Sequence, residues 1–256
     1  STSFMGVTDA QGLGFDLKWN MGWMNDTLKY FKTDPFFRKH HQNELTFSLL
    51  YAFSEKFINV LSHDEVVHGK HSLLSKMPGP DWQKFAGVRL FYSYQMGHPG
   101  KKLLFMGSEI GQWGEWNFRH EIDWYLLQYP WHKGLQTMIQ DLNHLYLKKS
   151  QLWERDFTWD GYEWVDFSDH EQSVISYLRK SYDKNALLIV HHFVPEAIQN
   201  YRIPLKKVKK LQEIFNSDNE KYGGSGKINS HVEVQGESIV CLLAPLATMI
   251  FEVEFD

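Results

Sequence analysis

One cysteine, Cys241, stands among 256 residues, so no intrachain disulfide can form. It lies in the apolar run Ile239–Leu243 and reads as a small buried hydrophobe, compatible with a reducing compartment. No apolar stretch approaches the ~20 residues that cross a bilayer as a helix. No stretch carries the charged-then-apolar pattern of a secretory signal. A basic stripe is also missing: the net charge is −4 with the signs interspersed, which argues against nucleic acid and suits a neutral polymer. Gly223-Gly224-Ser225-Gly226 has no following Lys-Ser/Thr or helix and reads as a turn, not a phosphate loop. The pair His40-His41 has no Cys or acidic partner at ligand spacing, and adjacent side chains point apart, so no metal is expected there. There is no internal repeat. The chain opens Ser-Thr-Ser-Phe with no initiator Met, and it is expected to be cut from something longer.

Aromatic residues are abundant: ten Trp, twelve Tyr and eighteen Phe give 16% of the chain, within a hydrophobic content of 43%. A packed core is within reach and disorder is disfavoured. Most of these rings belong to the core. A pyranose offers a flat C–H face that stacks on an aromatic ring, so a minority are candidate sugar platforms.

In chain order, residues 1–14 read as a glycine-containing loop. Phe15, Leu17 and Trp19 alternate as in a strand, Asn20 caps a helix from Met21, and Asp34-Pro35 stops it. The apolar run Phe57–Leu61 is a second strand. Asp81 is placed as the N-cap of a helix whose one apolar face is Trp82, Phe85, Val88, Phe91 or Tyr92, and Met96, ended by Gly97 and Pro99. Lys102–Met106 is a third, buried strand. A long loop rich in Trp, Glu and Asn follows from Gly107 to Lys133, of a length that usually carries function. Leu135, Met138, Ile139, Leu142, Leu145 and Tyr146 repeat with a 3.6-residue period. Beyond about Asp156 the texture changes to short alternating runs at 163–167, 174–178, 187–193, 211–215, 239–243 and 249–255, an antiparallel β-sandwich pattern.

The stretch Ser62-His63-Asp64-Glu65-Val66-Val67-His68-Gly69-Lys70 follows the second strand directly. Two His, two acids and a Lys at a strand tip are costly to desolvate unless something uses them. A solvated loop with a helix cap would use the same residue types. In a parallel α/β barrel, however, the C-terminal tips of the strands carry the catalysis.

This stretch resembles the segment after the seventh barrel strand of the glycogen (1,4-α-glucan) branching enzymes of the α-amylase clan. The likeness extends to Gly14-Phe15-Asp16-Leu17-Lys18-Trp19-Asn20-Met21-Gly22-Trp23-Met24-Asn25-Asp26-Thr27 and to Gly100-Lys101-Lys102-Leu103-Leu104-Phe105-Met106-Gly107-Ser108-Glu109. It also takes in Glu115-Trp116-Asn117, Ile122-Asp123-Trp124 and Ala244-Pro245-Leu246-Ala247-Thr248, and so covers essentially the whole chain. It implies an α/β plus β fold: units six to eight of a (β/α)8 TIM barrel over residues 1–152, then an antiparallel β-sandwich domain over 153–256. It further implies a cytoplasmic enzyme of glycogen synthesis acting on α-1,4-glucan (glycogen, amylose), with no nucleic acid and no membrane as partner.

Retaining glycoside chemistry needs a carboxylate nucleophile and a carboxylic acid ~5–5.5 Å apart. In the family these follow the fourth and fifth strands, so the resemblance places both in a missing N-terminal half of the barrel, with the cut just before Ser1-Thr2. The family's third carboxylate maps onto Asp64, expected to bind sugar hydroxyls more strongly as the ring flattens in the transition state. His63 is expected to donate to the same sugar. Glu65 and His68 either join the binding or buttress the loop. Trp19, Trp113 and Trp116 are candidate glucan platforms, with rim or core packing as the alternative. No step calls for a cofactor or a metal. Another clan transferase or hydrolase, or a non-catalytic glucan-binding fragment, would carry many of the same residues.

Overall fold

The computed structural model describes residues 13–256. The expectations for Gly6, Gly12 and Ser1-Thr2 lie outside the described residues. The first described part consists of β1 (Lys18–Trp19), α1 (Met21–Lys32), α2 (Asn43–Thr46), β2 (Phe57–Val60), α3 (Leu73–Lys76), α4 (Asp81–Gly97), β3 (Lys101–Leu103) and α5 (Pro130–Lys148). The strands form a parallel sheet in the order β1-β2-β3, with Trp19 opposite Ile58 and Val60 opposite Leu103. Each strand is shorter than its sequence suggests. Among the described residues β1 pairs with β2 alone, and Phe15 and Leu17 are exposed, so their alternation marks no buried face. The ladder to β3 ends where the Leu61 N–H donates to the Leu103 carbonyl at 3.1 Å.

Asn20 caps α1 as expected, its side chain accepting from the Trp23 N–H at 3.0 Å. Asp81 does not cap α4. Pro80 occupies that position, and Asp81 is the first helical residue, where its charge still favours the unpaired amides. The single apolar face expected for α4 is also corrected. Trp82 is exposed, while every residue from Phe85 to Gly97 is buried. The helix lies between two packed layers, so it has no solvent side over most of its length. The segment 107–133 is not one irregular loop: short 3-10 turns span Ser108–Ile110 and Trp124–Gln128, and α5 already begins at Pro130. Proline is favoured at this first helical position because its missing N–H would have no helical partner.

The second part holds β4 (Tyr162–Asp166), β5 (Val174–Arg179), β6 (Ala186–His192), β7 (Ile198–Pro204), β8 (Val208–Asn216), β9 (Glu233–Gln235), β10 (Ser238–Leu243) and β11 (Ala247–Phe255). They form two antiparallel sheets, β4-β5-β6-β11-β8 and β7-β10-β9. The sequence pattern missed β7, which is polar and ends in proline, and β9, which is three exposed residues. β5 and β6 do not alternate: all their residues are buried. One face of the larger sheet meets α4 and the other meets the smaller sheet, so both faces are covered. At the closest approach a Cβ on Gly97 would lie 2.6 Å from the Tyr177 hydroxyl, which leaves room only for glycine.

Three buried arginines bind the layers together. Arg38 donates to the carbonyls of Phe31 and Phe193, at 2.9 and 2.8 Å. Arg89 on α4 donates to the Ser217 carbonyl at 2.8 Å. Arg179 on β5 donates to the carbonyl of Gly97 and to Asp156, both at 2.7 Å. A buried guanidinium is tolerated only with such partners. One apolar cluster joins Trp23, Phe31 and Phe91 to Tyr177, Ile189 and Ile250 across residue 152.

Candidate active site

Asp64, Trp19 and Phe105 all follow the C-terminal ends of the parallel strands: Trp19 closes β1, the 62–71 segment leaves β2, and Phe105 leaves β3. Where β2 ends, Ser62 starts a 3-10 turn over His63–Glu65 with a complete capping box. The Ser62 N–H and hydroxyl both donate to Glu65 Oε2, at 2.6 and 2.9 Å, and the Asp64 N–H donates to Ser62 Oγ at 3.2 Å. Glu65 is therefore turned inward and buried. The cap engages its carboxylate through Oε2, which favours the alternative in which Glu65 buttresses the loop.

With Glu65 capping, Asp64 is not needed for that task. Its side chain is 58% exposed and pairs with His63, whose Nε2 lies 3.3 Å from Asp64 Oδ1. The His63 ring lies edge-on to Trp116 at 5.7 Å between centroids and tilted against Phe105 at 5.9 Å. Phe105 and Trp116 meet edge-to-face at 5.1 Å. The structure thus brings together Asp64, His63 and Trp116, and adds Phe105. In the sequence that ring lay inside the expected buried strand Lys102–Met106; β3 is partly buried and ends at Leu103, which leaves Phe105 just past its tip.

The remaining candidates are distributed differently. Trp19 is exposed at the end of the neighbouring strand, with no ring contact among the described residues. His68 is fully exposed, with Nδ1 3.4 Å from Glu115 Oε2, and it stands on the outer surface of the loop. Trp113 does not join the Asp64 group. Its ring packs against Phe85 and His132, in a separate cavity of about 590 Å³ with Trp131, Tyr129 and Tyr125. The pair His40-His41 is split: His41 Nδ1 meets Glu44 Oε1 at 3.1 Å. Among the described residues, no group of three or more His, Cys, Asp or Glu side chains is placed to hold a metal ion. No described helix is long and apolar enough to cross a membrane.

An exposed carboxylate beside an imidazole, floored by aromatic rings at strand tips, can accept hydroxyl hydrogen bonds and place negative charge beside a developing cation. Both retaining carboxylates are needed for bond cleavage. Glu65, the second carboxylate of the 62–71 segment, is occupied by the cap.

Residues 164–254 match the family model for the alpha amylase C-terminal all-beta domain. The chain is 57% identical, over 98% of its length, to the 1,4-alpha-glucan branching enzyme GlgB of Protochlamydia amoebophila, and 53% identical, over 94%, to that of Halothermothrix orenii. It spans 36% and 40% of those two proteins. Among solved structures, a cyclomaltodextrinase superposes with a TM-score of 0.66 at 16% identity, covering 96% of this chain and 38% of that one. The alpha-amylase from H. orenii superposes with a TM-score of 0.61 at 16% identity, covering 94% and 49%. AmyP, solved in complex with maltose, gives 0.64 at 12% identity, covering 93% and 50%. In sequence the chain is thus a relative of the 1,4-alpha-glucan branching enzymes along nearly its whole length, and its last hundred residues hold an alpha-amylase C-terminal all-beta domain.

Proposed function

We propose that this chain is the part of a 1,4-α-glucan branching enzyme that supplies the third, transition-state-stabilising carboxylate, Asp64. In this reading residues 1–152 are units six to eight of a (β/α)8 barrel, and 153–256 are the C-terminal β domain. The missing N-terminal half of the barrel brings the nucleophile and the acid. The complete protein cleaves an α-1,4 link of glycogen or amylose, holds the chain as a covalent ester, and delivers it to a 6-hydroxyl of another chain. Asp64 accepts hydrogen bonds from hydroxyls of the reacting sugar, and these bonds strengthen as the ring gains oxocarbenium character. His63 orients Asp64 and donates to the same sugar, and Trp116 with Trp19 offers rings to the chain.

The observation that carries the reading is the division of labour at the strand tip. Glu65 takes the cap, and Asp64 faces solvent beside His63. The test is Asp64→Asn in the full-length protein, with branching measured by debranching of the product. The fold should persist, and turnover should fall by ~10²–10³, the usual size of a lost transition-state electrostatic contact. Turnover within a few-fold of wild type would reduce Asp64 to an ordinary loop residue.

A further inference from the structure

Beyond the turn that carries Asp64, the chain runs through His68, Gly69, Lys70 and His71, all of them exposed. Little apolar burial holds this stretch, and its backbone is unusual. Gly69 has φ +82°, and His71, which is not glycine, has φ +65°. A side chain disfavours that region, so the conformation persists only where its surroundings fix it.

Two side chains fix it from opposite sides. Glu115, which arrives from the segment after β3, accepts from the Gly69 N–H through Oε2 at 2.9 Å and from the His71 N–H through Oε1 at 2.7 Å. These bonds, the His71 amide first, hold its carboxyl below the ordinary glutamate range. Its neighbour Trp116 donates its N–H to the Val66 carbonyl at 2.8 Å. On the other side, the Lys76 ammonium donates to the carbonyls of Glu65 and His71. His71 is thus held by its N–H to Glu115 and by its C=O to Lys76. Glu65, the residue after Asp64, is held through its carbonyl by Lys76 and through its carboxylate by Ser62.

From this geometry we infer that Glu115 is a positioning residue. Together with Lys76 it fixes the 62–71 segment and so sets where Asp64 and His63 stand relative to the sugar, without touching substrate. The inference rests on the reading of Asp64 as the stabilising carboxylate. Glu115 and Trp116 act as adjacent halves of one splice between the tips of β2 and β3: the first grips the backbone of 69–71, and the second sets its ring against His63. Charge is used here to hold backbone amides, the inverse of a loop that binds an anion from solution.

The experiment uses Glu115→Gln and, as a second variant acting from the other side, Lys76→Met, each in the full-length protein. An amide at 115 keeps one acceptor and turns an N–H₂ towards the other N–H, so one of the two bonds is lost. The expected result is a fall in kcat of about 10–100-fold, the cost of a small displacement of a reacting group. KM for amylose should stay within about twofold, because remote parts of a long substrate supply most of its binding. In the wild-type protein the amides of Gly69 and His71 should exchange slowly with solvent despite their exposure, and in Glu115→Gln at least about tenfold faster. Unprotected wild-type amides would overturn the inference without any variant being made. It would also fall if kcat stayed within threefold of wild type in both variants, or if KM rose in step with the loss of kcat. Asp64→Asn run in parallel separates the two ideas. If it lowers turnover ~10²–10³-fold while Glu115→Gln and Lys76→Met both stay within threefold of wild type, only the positioning role is lost. If Asp64→Asn is itself active, the reading of the site fails first.

Discussion

Arg179 Nη2 lies 2.7 Å from Asp156 Oδ1, and both side chains are fully buried. The arginine sits on the second strand of the larger antiparallel sheet, and its other amine donates to the last carbonyl of α4. Burial on its own would raise the Asp156 carboxyl, but Lys102, Arg179 and Lys101 together hold it below its ordinary value. Arg179→Met keeps the bulk and strands the carboxylate. It should cost about 3–5 kcal/mol, as expected for one partner removed from a buried pair. Urea denaturation measures this, and a loss under about 1 kcal/mol would mean that Lys101 and Lys102 suffice.

The shared wall between the layers leads to a second expectation. The β layer consists of two antiparallel sheets. In the structure its larger sheet uses α4 as the cover for Tyr177, Ile189 and Ile250, and the Ser217 carbonyl is satisfied by Arg89. Residues 153–256 expressed alone should therefore lack a cooperative thermal transition and should bind a hydrophobic dye. A sharp transition without dye binding would show that the sheet closes over its own face.

Acid should unfold the protein through its buried histidines. Burial depresses His98 and His191 to about 3 and His192 to about 4. His191 is enclosed between the Tyr177 hydroxyl, 2.9 Å from Nε2, and the Thr248 hydroxyl, 2.7 Å from Nδ1. In the unfolded chain these groups bind protons near pH 6.5, so between there and about pH 3–4 the unfolded state holds more protons than the native one. Their contribution is complete above pH 6.5 and is lost progressively as the pH falls. Urea midpoints at pH 7 and pH 5 should differ, with pH 5 lower. Equal midpoints would mean that these rings are protonated in the native state.

This chain alone should make no branches from amylose. Glu65 is occupied by its cap and Glu115 by two backbone amides, so neither is free to attack or to protonate the glycosidic bond. Counting α-1,6 linkages by proton NMR after incubation with purified chain is the check. Branches that vanish in Asp64→Asn would place both catalytic carboxylates within these 256 residues.

The sequence was most informative where a pattern had one physical cause. Asn20 before Met21 meant a cap, and a cap was found. Phe57–Leu61 meant a buried strand, and β2 spans Phe57–Val60. It was least informative where tertiary contact overrode local pattern. Nothing local tells that α4 is covered on all sides, since Arg89, Ser93 and Gln95 interrupt the apolar residues yet are buried with their polar atoms satisfied by distant carbonyls or by the helix itself. At the site, Asp64 and Glu65 look equivalent as letters, and only the direction of the cap separates them. Glu115 stood in the sequence only as part of Glu115-Trp116-Asn117, and what it and Lys76 hold was not legible because their partners are backbone groups, which carry no sequence signal.

The absence of a solvent face on α4 has a further consequence for how such a chain can change. A surface helix can absorb substitutions one at a time, because water adapts to whatever is presented. From Phe85 to Gly97 every position is buried, with α3, α5 and the larger antiparallel sheet packed against the helix, so a neighbour must move for each change. Extra volume at Gly97 displaces Tyr177, and a change at Phe91 is felt by Trp23 and Phe31. Substitutions there should be tolerated in compensating sets that conserve volume across both sides, with energies that do not add. Because α4 touches the larger antiparallel sheet on one side and, through Gln95, the carbonyls of Asn59 and Leu103 on the other, drift in that sheet should be felt at the strands that lead to Asp64.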